Sequence, residues 1–235
     1  MRRCLWVVIV AAVVAVAGCA TGSPVSSSGS PVPSATPVTS GPAATGSGQA
    51  GESREVHGFT GVELTSFGEL QIEQTGTESL TIEAAADVLP QLTSEVSGGV
   101  LRLGLAPGTS IRTTRPVVYR LTVADLNAIA VSGAGKVTAS NLRADRLGVD
   151  IGGAGRITLA GTVDSQVVTI SGTGSYDGED LQSATAEVTV DGTGKAVVRV
   201  STRLTATVDG VGSVEYIGSP QVTRKINGVG SVKQR

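Results

Sequence analysis

Residues that commonly carry out enzyme chemistry are scarce in this 235-residue sequence. It contains one histidine, His57, and two cysteines, Cys4 and Cys19. A nucleophilic catalyst needs a general base beside its nucleophile, and zinc and redox metals prefer cysteine and histidine ligands. Because Cys4 lies in a segment that we expect to be removed, these residues cannot form such a cluster. The sequence predicts a protein that is not an enzyme and uses no cofactor.

Carboxylates are the other candidate chemical groups. The segment Asp-Gly-Glu-Asp at residues 177–180 is predicted to form a compact acidic turn, and Asp191 and Asp209 recur 18 residues apart in similar contexts. Oxygens on neighbouring turns can coordinate calcium. However, the spacing differs from that of nine-residue calcium-binding repeats, and aspartates also close turns by bonding to local backbone. The sequence leaves open whether calcium binds near Asp177, Asp191 or Asp209.

A pair of carboxylates could also hydrolyse a glycosidic bond. Such sites usually lie among aromatic and basic subsites. The tyrosines available for this purpose are Tyr119, Tyr176 and Tyr216. A carbohydrate-active enzyme is therefore the least favoured of the functions considered.

A repeated glycine pattern organises the C-terminal half of the chain. Six times, an apolar residue and a small or polar residue precede Gly-x-Gly, with strand-like sequence on either side. Successive copies begin 20, 19, 20, 18 and 18 residues apart. This period is typical of a solenoid, because a single repeat cannot bury its apolar face alone. The copies begin at Val131, Ile151, Ile170, Val190, Val208 and Ile226.

The predicted fold is all-β, a right-handed parallel β-helix-like solenoid with about 18–20 residues per coil. Glycine at each corner supplies either a positive φ or room for close backbone approach. Every second residue counted from each corner should point inward. An aromatic content of 3% further predicts a bore too narrow for large rings. The predicted inward residues are Val137, Ala139, Leu147, Val149, Ile151, Ile157, Leu159, Val168, Ile170, Ala186, Val188, Val190, Ala196, Val198, Val200, Leu204, Ala206 and Val208.

The last coil departs from the inward pattern. Arg224 occupies the position that Ala206 and Val188 occupy in earlier coils, and Lys225 follows it. A buried charge is costly unless it reaches solvent, and charged end strands discourage edge-to-edge growth. We interpret Arg224 and Lys225 as a polar cap, with a binding patch as the alternative.

The N-terminus has the features of a bacterial lipoprotein signal. Two arginines precede an apolar run from Leu5 to Ala17, which is short for a membrane span. The segment Val16-Ala-Gly-Cys19 resembles the lipobox, in which cleavage precedes an acylated cysteine. We therefore expect a signal peptide over residues 1–18 and a lipid on Cys19. The alternative is ordinary signal cleavage that leaves a free thiol.

The mature chain divides into a tether and a domain. Residues 19–54 are rich in Ser, Pro, Thr and Gly and contain few residues that could form a core. Such a composition is typical of a disordered segment. Residues 55–235 have strand-like patterns throughout and are numerous enough for one domain with its own core.

The corners of the predicted solenoid offer one candidate binding face. Lys136, Arg156 and Lys195 each follow a Gly-x-Gly, while Thr173 and Thr193 are the middle residues of two corners. The alternative is that these side chains are exposed to solvent without binding a ligand, and that the repeats stack because their sequences are alike. A formal net charge of −2 and a pI near 5.5 argue against nucleic acid as a partner.

Several segments of the predicted domain resemble a known family. They are Phe59-Thr-Gly-Val62, residues 88–96, residues 117–126, and the Gly-x-Gly corners that begin at Val131 and Ile226. Together they resemble the head GIN domain of proteins described as "putative auto-transporter adhesins". The resemblance covers nearly the whole domain and implies a right-handed β-helix-like stack on a bacterial envelope protein.

These features predict a lipoprotein held at the extracytoplasmic face of the bacterial cell membrane by its N-terminal lipid. It would display a non-catalytic β-helix as an adhesin for a surface glycan or protein. The alternative is a structural or regulatory envelope component that self-associates as a homo-oligomer.

Overall fold

The computed structural model describes residues 49–111 and 115–235. Within these ranges the chain forms fifteen strands joined in one sheet, together with a short 3-10 helix, Leu89–Gln91. The predicted all-β class is therefore confirmed. The strands are β1 (Gln49–Arg54), β2 (Gly61–Leu64), β3 (Phe67–Gln74), β4 (Ser79–Ala85), β5 (Leu92–Ser97), β6 (Val100–Leu105), β7 (Val118–Val123), β8 (Ala128–Val131), β9 (Ala134–Ile151), β10 (Arg156–Ile170), β11 (Thr173–Val190), β12 (Thr193–Val208), β13 (Val211–Ile217), β14 (Gln221–Ile226) and β15 (Val229–Gln234).

The sheet winds into a solenoid of about 5 turns with two walls. One wall contains β1, β4, β7 and β3, continues through the first halves of β9 to β12, and ends with β13 and β15. The other contains β5, β6, β2 and β8, continues through the second halves of the same long strands, and ends with β14. From β9 to β15 all pairings are parallel, as predicted for stacked coils.

Close backbone approach explains the corner glycines. Positive-φ residues occur elsewhere in the described chain, for example at Gly161 and Gly218. By contrast, a Cβ at Gly153 would lie 2.1 Å from the carbonyl oxygen of Gly133, and a Cβ at Gly172 would lie 2.2 Å from that of Gly153. Each corner therefore rests directly on the corner below, and any side chain at the first glycine would separate them.

The core follows the predicted alternation, but the predicted narrow bore is wrong. All of the predicted inward residues are buried. Tyr119 and Tyr176 are also fully buried. The ring of Tyr176 fits because residue 178 is glycine, where a Cβ would lie 2.8 Å from the tyrosine hydroxyl oxygen. A glycine next to a ring thus widens the bore locally.

The folded part begins earlier than predicted. Strand β1 pairs antiparallel with β4, so residues 49–54 belong to the domain rather than to the tether. The guanidinium of Arg54 secures this strand by donating hydrogen bonds to Leu92 O at 2.8 Å, Leu89 O at 3.1 Å and Ser94 Oγ at 3.2 Å. The predicted signal peptide over residues 1–18, the lipidation site Cys19 and residues 19–48 of the tether lie outside the described residues.

Candidate functional site

The Gly-x-Gly corners present their side chains to solvent in two neighbouring rows, which we call the corner face. Lys136 pairs in register with Arg156, and Ser175 separates Arg156 from Lys195. Thr173 and Thr193 pair in the adjacent row. A shallow depression of about 590 Å³ is lined by Lys136, Arg156, Thr173 and Thr193, but not by Lys195. The structure thus brings four of the five predicted residues together.

Ion pairs neutralise much of the basic row on the corner face. Lys136 Nζ lies 3.1 Å from Glu69 Oε1, and Lys195 Nζ lies 2.9 Å from Glu215 Oε1. The hydrogen bond from each lysine lowers the pKa of its carboxylate partner. Among the described residues, Arg156 makes no ion pair across the corner face. This face is therefore a polar surface with little net charge.

Two of the three carboxylates that could have bound calcium have local partners, and residues 177–180 lie within strand β11 rather than in the predicted turn. Asp209 Oδ1 accepts a hydrogen bond from Asn227 Nδ2 on the next corner, and Asp177 Oδ1 accepts one from the Glu179 amide at 3.2 Å. Asp191 is exposed at its own corner. In the part of the chain that the structure describes, no three side chains of the metal-binding types converge.

A second concavity, which the sequence did not predict, lies where β11 is followed by the shorter β12. Gly178 pairs with Val198 and Gln182 pairs with Arg199, so residues 179–181 have no counterpart in β12. This register step opens a groove of about 560 Å³ across β10, β11, β12 and the turn after β13, which we call the step groove. Its lining includes Thr162, Asp164, Gln182, Ser183, Arg199, Ser201 and Ser219.

Side chains replace the backbone bonds that the register step breaks. Arg199 Nε donates to Glu179 O at 2.6 Å, and Ser183 Oγ donates to Arg199 O at 2.8 Å. Behind them, Gln166 Nε2 donates to Ser183 Oγ at 2.8 Å, and Tyr176 Oη donates to Gln166 Oε1 at 2.7 Å. Burial raises the pKa of Tyr176, so its hydroxyl stays protonated as the donor.

One sequence signal could have revealed this buried network. Gln166 pairs in register with Leu147 on one side and Ala186 on the other, which places it at an inward position. A fully buried glutamine requires hydrogen-bond partners for both the carbonyl oxygen and the NH2 group of its amide. Counting by twos from Ile170 reaches Gln166, so the same periodicity that predicted the core also identifies this exception.

Two concave surfaces in the described part of the chain were candidates for a pair of catalytic carboxylates. Asp164 is the carboxylate in the lining of the step groove. Glu63 and Asp150 line a shallow depression of about 370 Å³ on the second wall, but Glu63 Oε2 accepts a hydrogen bond from Arg102 Nε at 3.1 Å. Glycosidases need one carboxyl group as the acid and a second as base or nucleophile. Neither surface offers that arrangement.

The stacked parallel coils, with polar side chains on their outer surface, define this protein as a β-solenoid. A family model described as "Putative auto-transporter adhesin, head GIN domain" matches residues 58–220. The chain belongs to this family, as its sequence motifs predicted. In the described residues, no helix combines the length and apolar character needed to cross a membrane.

Solved structures support the fold. A putative adhesin from Bacteroides fragilis is 23% identical, with a TM-score of 0.65 over 80% of this chain and 97% of that one. Putative adhesins from Parabacteroides distasonis and Parabacteroides merdae are 19% and 16% identical, with TM-scores of 0.52 and 0.51. Both alignments cover 80% of this chain, and they cover 97% and 96% of the respective relatives. A comparison with curated protein sequences found no match.

Proposed function

We propose that this protein is a lipid-anchored adhesin that binds a surface polymer or protein without chemical turnover. The observation that carries the proposal is the corner face, where Thr173 and Thr193 stay exposed on a backbone fixed by stacked glycines. A rigid array binds with little loss of conformational entropy. Family membership and the names of the structural relatives agree with a surface-binding role.

The anchor in this proposal is Cys19, followed by a tether to β1. The sequence between them is rich in Ser, Pro, Thr and Gly. A loose coil of about 30 residues spans roughly 30 Å. The domain would then stand clear of the extracytoplasmic face of the membrane and reach ligands at the cell surface.

The anchor is tested in the full chain with Cys19→Ser. We expect the wild-type protein to incorporate labelled palmitate and sediment with membranes, and the variant to lose both properties. A variant that still incorporates the label would contradict lipidation at Cys19. A Cys4→Ser variant is the matched control, because Cys4 lies within the predicted signal peptide.

Binding is tested by retention of the purified protein on cell-wall preparations and on immobilised surface proteins. We expect saturable retention on at least one of these materials. Failure across the whole panel would remove the adhesin proposal.

Self-association is a second candidate function, favoured by the opposite character of the two ends of the stack. In the described chain, β1 and β5 at one end and β14 and β15 at the other each pair on one side only. Strand β5 carries Glu95 and the exposed Val96, whereas β14 carries Arg224, Lys225 and the exposed Ile226. Opposite charges beside exposed apolar residues favour head-to-tail contact between copies.

Sedimentation equilibrium at low and high salt tests this second candidate. We expect association that weakens as salt rises and is lost in Arg224→Glu/Lys225→Glu, because the interaction is between opposite charges. The matched control is Arg143→Glu/Arg146→Glu, which reverses two exposed charges on β9, away from the ends. A strict monomer at high concentration would exclude the candidate.

A further inference from the structure

We propose that the step groove binds a neutral saccharide segment, with Asp164, Gln182 and Ser219 as its principal polar contacts. The inference rests on the proposed adhesin function and assigns a site and a ligand class to it. The step groove is a second binding surface, separate from the corner face on which that proposal rests.

Unused hydrogen-bonding groups point to a ligand in the step groove. Asp164 and Gln182 are exposed on neighbouring coils. Within the described residues, the side chains of Asp164, Gln182 and Ser219 make no hydrogen bond. These groups therefore face the groove with their donors and acceptors available.

The chemistry of these groups fits a polyhydroxylated ligand. A carboxylate accepts hydrogen bonds, while amides and hydroxyls both donate and accept, which matches the mixed character of sugar hydroxyls. Asp164 and Arg199 carry opposite charges in the same lining, so the step groove has no net attraction for a polyanion. Ala184, which is partly exposed in the same lining, adds apolar surface against which the carbon skeleton of a sugar can pack.

The step groove has a preformed floor. Ser183 is 5% exposed and Gln166 is 0% exposed, and both belong to the chain of hydrogen bonds that begins at Tyr176. Because the floor is fixed before a ligand arrives, binding does not have to order it. The glutamine thus acts as a positioning residue for the groove.

The groove continues along the bend of the solenoid. Thr162 also borders a second depression of about 510 Å³, which is lined by Arg143, Ala144 and Asp145 on β9. Polar side chains therefore recur coil after coil along the same bend, with a strand spacing of about 4.8 Å. This extended geometry favours an oligosaccharide over a single sugar.

The experiment measures binding of neutral hexasaccharides of N-acetylglucosamine, glucose, galactose and mannose by calorimetry, with polyphosphate as an anionic probe. We expect the wild-type protein to bind at least one hexasaccharide and Asp164→Asn/Gln182→Ala to weaken that binding at least tenfold. Ser219→Trp should block the groove from its exposed rim. The control Asp125→Asn/Glu187→Gln, at two exposed positions outside both the step groove and the corner face, should stay within twofold of wild type. Thermal unfolding of each variant confirms that it is folded.

The outcomes separate the site from the general function. Hexasaccharide binding that survives both groove variants would overturn the step groove as the site and leave the adhesin proposal standing. Binding of polyphosphate alone, or of none of the hexasaccharides, would overturn the ligand class. Retention on cell-wall or protein preparations in that case would still support the adhesin.

Discussion

Gln166 is a polar residue inside an otherwise aliphatic stack. Its register neighbours are Leu147 and Ala186, and its amide joins Tyr176 to Ser183. A buried network of this kind is stable only when every member has a partner. The fully buried tyrosine and glutamine are therefore energetically coupled, although they belong to different coils.

This coupling predicts a non-additive pair of substitutions. Gln166→Leu restores the aliphatic pattern but leaves the Tyr176 hydroxyl buried without an acceptor, so we expect a loss of about 1–3 kcal/mol in unfolding free energy. Adding Tyr176→Phe removes the unpaired group and should recover most of that loss. Urea unfolding of both single variants and the double variant measures the coupling. Additive losses would contradict the network.

Glu215 is the second residue whose surroundings make a measurable prediction. The hydrogen bond from Lys195, aided by Lys233, lowers its pKa below the ordinary value of 4.5. A carboxylate with a lowered folded-state pKa adds stability above its unfolded pKa and loses it as pH falls through the folded pKa. We therefore expect Glu215→Gln to be less stable than wild type at pH 7, with the difference shrinking below about pH 4.5.

Unfolding free energies at several pH values between neutral and acidic measure this effect. Glu187→Gln is the matched control, since Glu187 is exposed and makes no ion pair among the described residues. A difference between wild type and Glu215→Gln that does not change with pH would contradict the assignment.

The sequence predicted side-chain direction better than it predicted surface shape. Alternation identified inward residues such as Ile151 and Val190, because strand periodicity depends only on the local backbone. The step groove depends instead on which residues of β11 lack partners in β12. That register is a property of two coils together, and coil lengths of 20 and 18 residues show a mismatch without locating it.

At the scale of elements, each corner requires glycine at the first position of its Gly-x-Gly for steric reasons. The amides of Gly152 and Gly153 both donate to Val131 O, at 3.0 and 3.1 Å, which brings one corner onto the next. A Cβ at Gly153 would meet three backbone atoms of the preceding corner within 2.7 Å. A Cβ at the neighbouring Gly152 would meet only side-chain atoms, at 3.7 Å or more.

Adjacent glycines therefore make a matched pair of variants. We expect Gly153→Ala to lower the unfolding free energy by about 3 kcal/mol or more, because two rigid backbones must separate. Gly152→Ala should be neutral or stabilising by up to about 1 kcal/mol, because alanine restricts the unfolded chain. Chemical denaturation measures both, and equal effects would show that close approach is not what selects glycine.

The first strands of the domain show that an alternating sequence pattern does not determine strand direction. The strand-like pattern predicted for residues 55–235 is confirmed here, for example at β4. The predicted parallel pairing does not extend to this end of the stack, since β1, β4 and β5 each make antiparallel pairs. An alternating pattern is the same whichever way a strand runs, so connection geometry decides direction.

At the scale of the whole molecule, the two ends of the stack differ in how they are covered. Strand β1 is tied down by Arg54, whereas every residue of β14 except Val222 is exposed. Coils of a solenoid contact mainly their neighbours, so an end coil has half the support of a middle one. The last coil should open independently of the others.

Hydrogen exchange tests this gradient. We expect the amides of β14 and β15 to exchange fastest and those in the middle of β9 to β12 to exchange slowest, because opening of an end coil exposes little core. Mass spectrometry on peptides from each strand gives the profile. Uniform protection from β9 to β15 would contradict independent opening and indicate one cooperative unit.

The antiparallel strand β1 has a mechanical consequence. Any pull transmitted through the residues before Gln49 enters the domain at this strand, which pairs with β4 over its whole length. Arg54 links the far end of β1 to Leu89 and Leu92 beside the other wall, so the load divides between both walls. The chain thus enters the solenoid through a strand that is joined to both walls, and in the proposed adhesin any tension along the chain would reach β4 and β5 together.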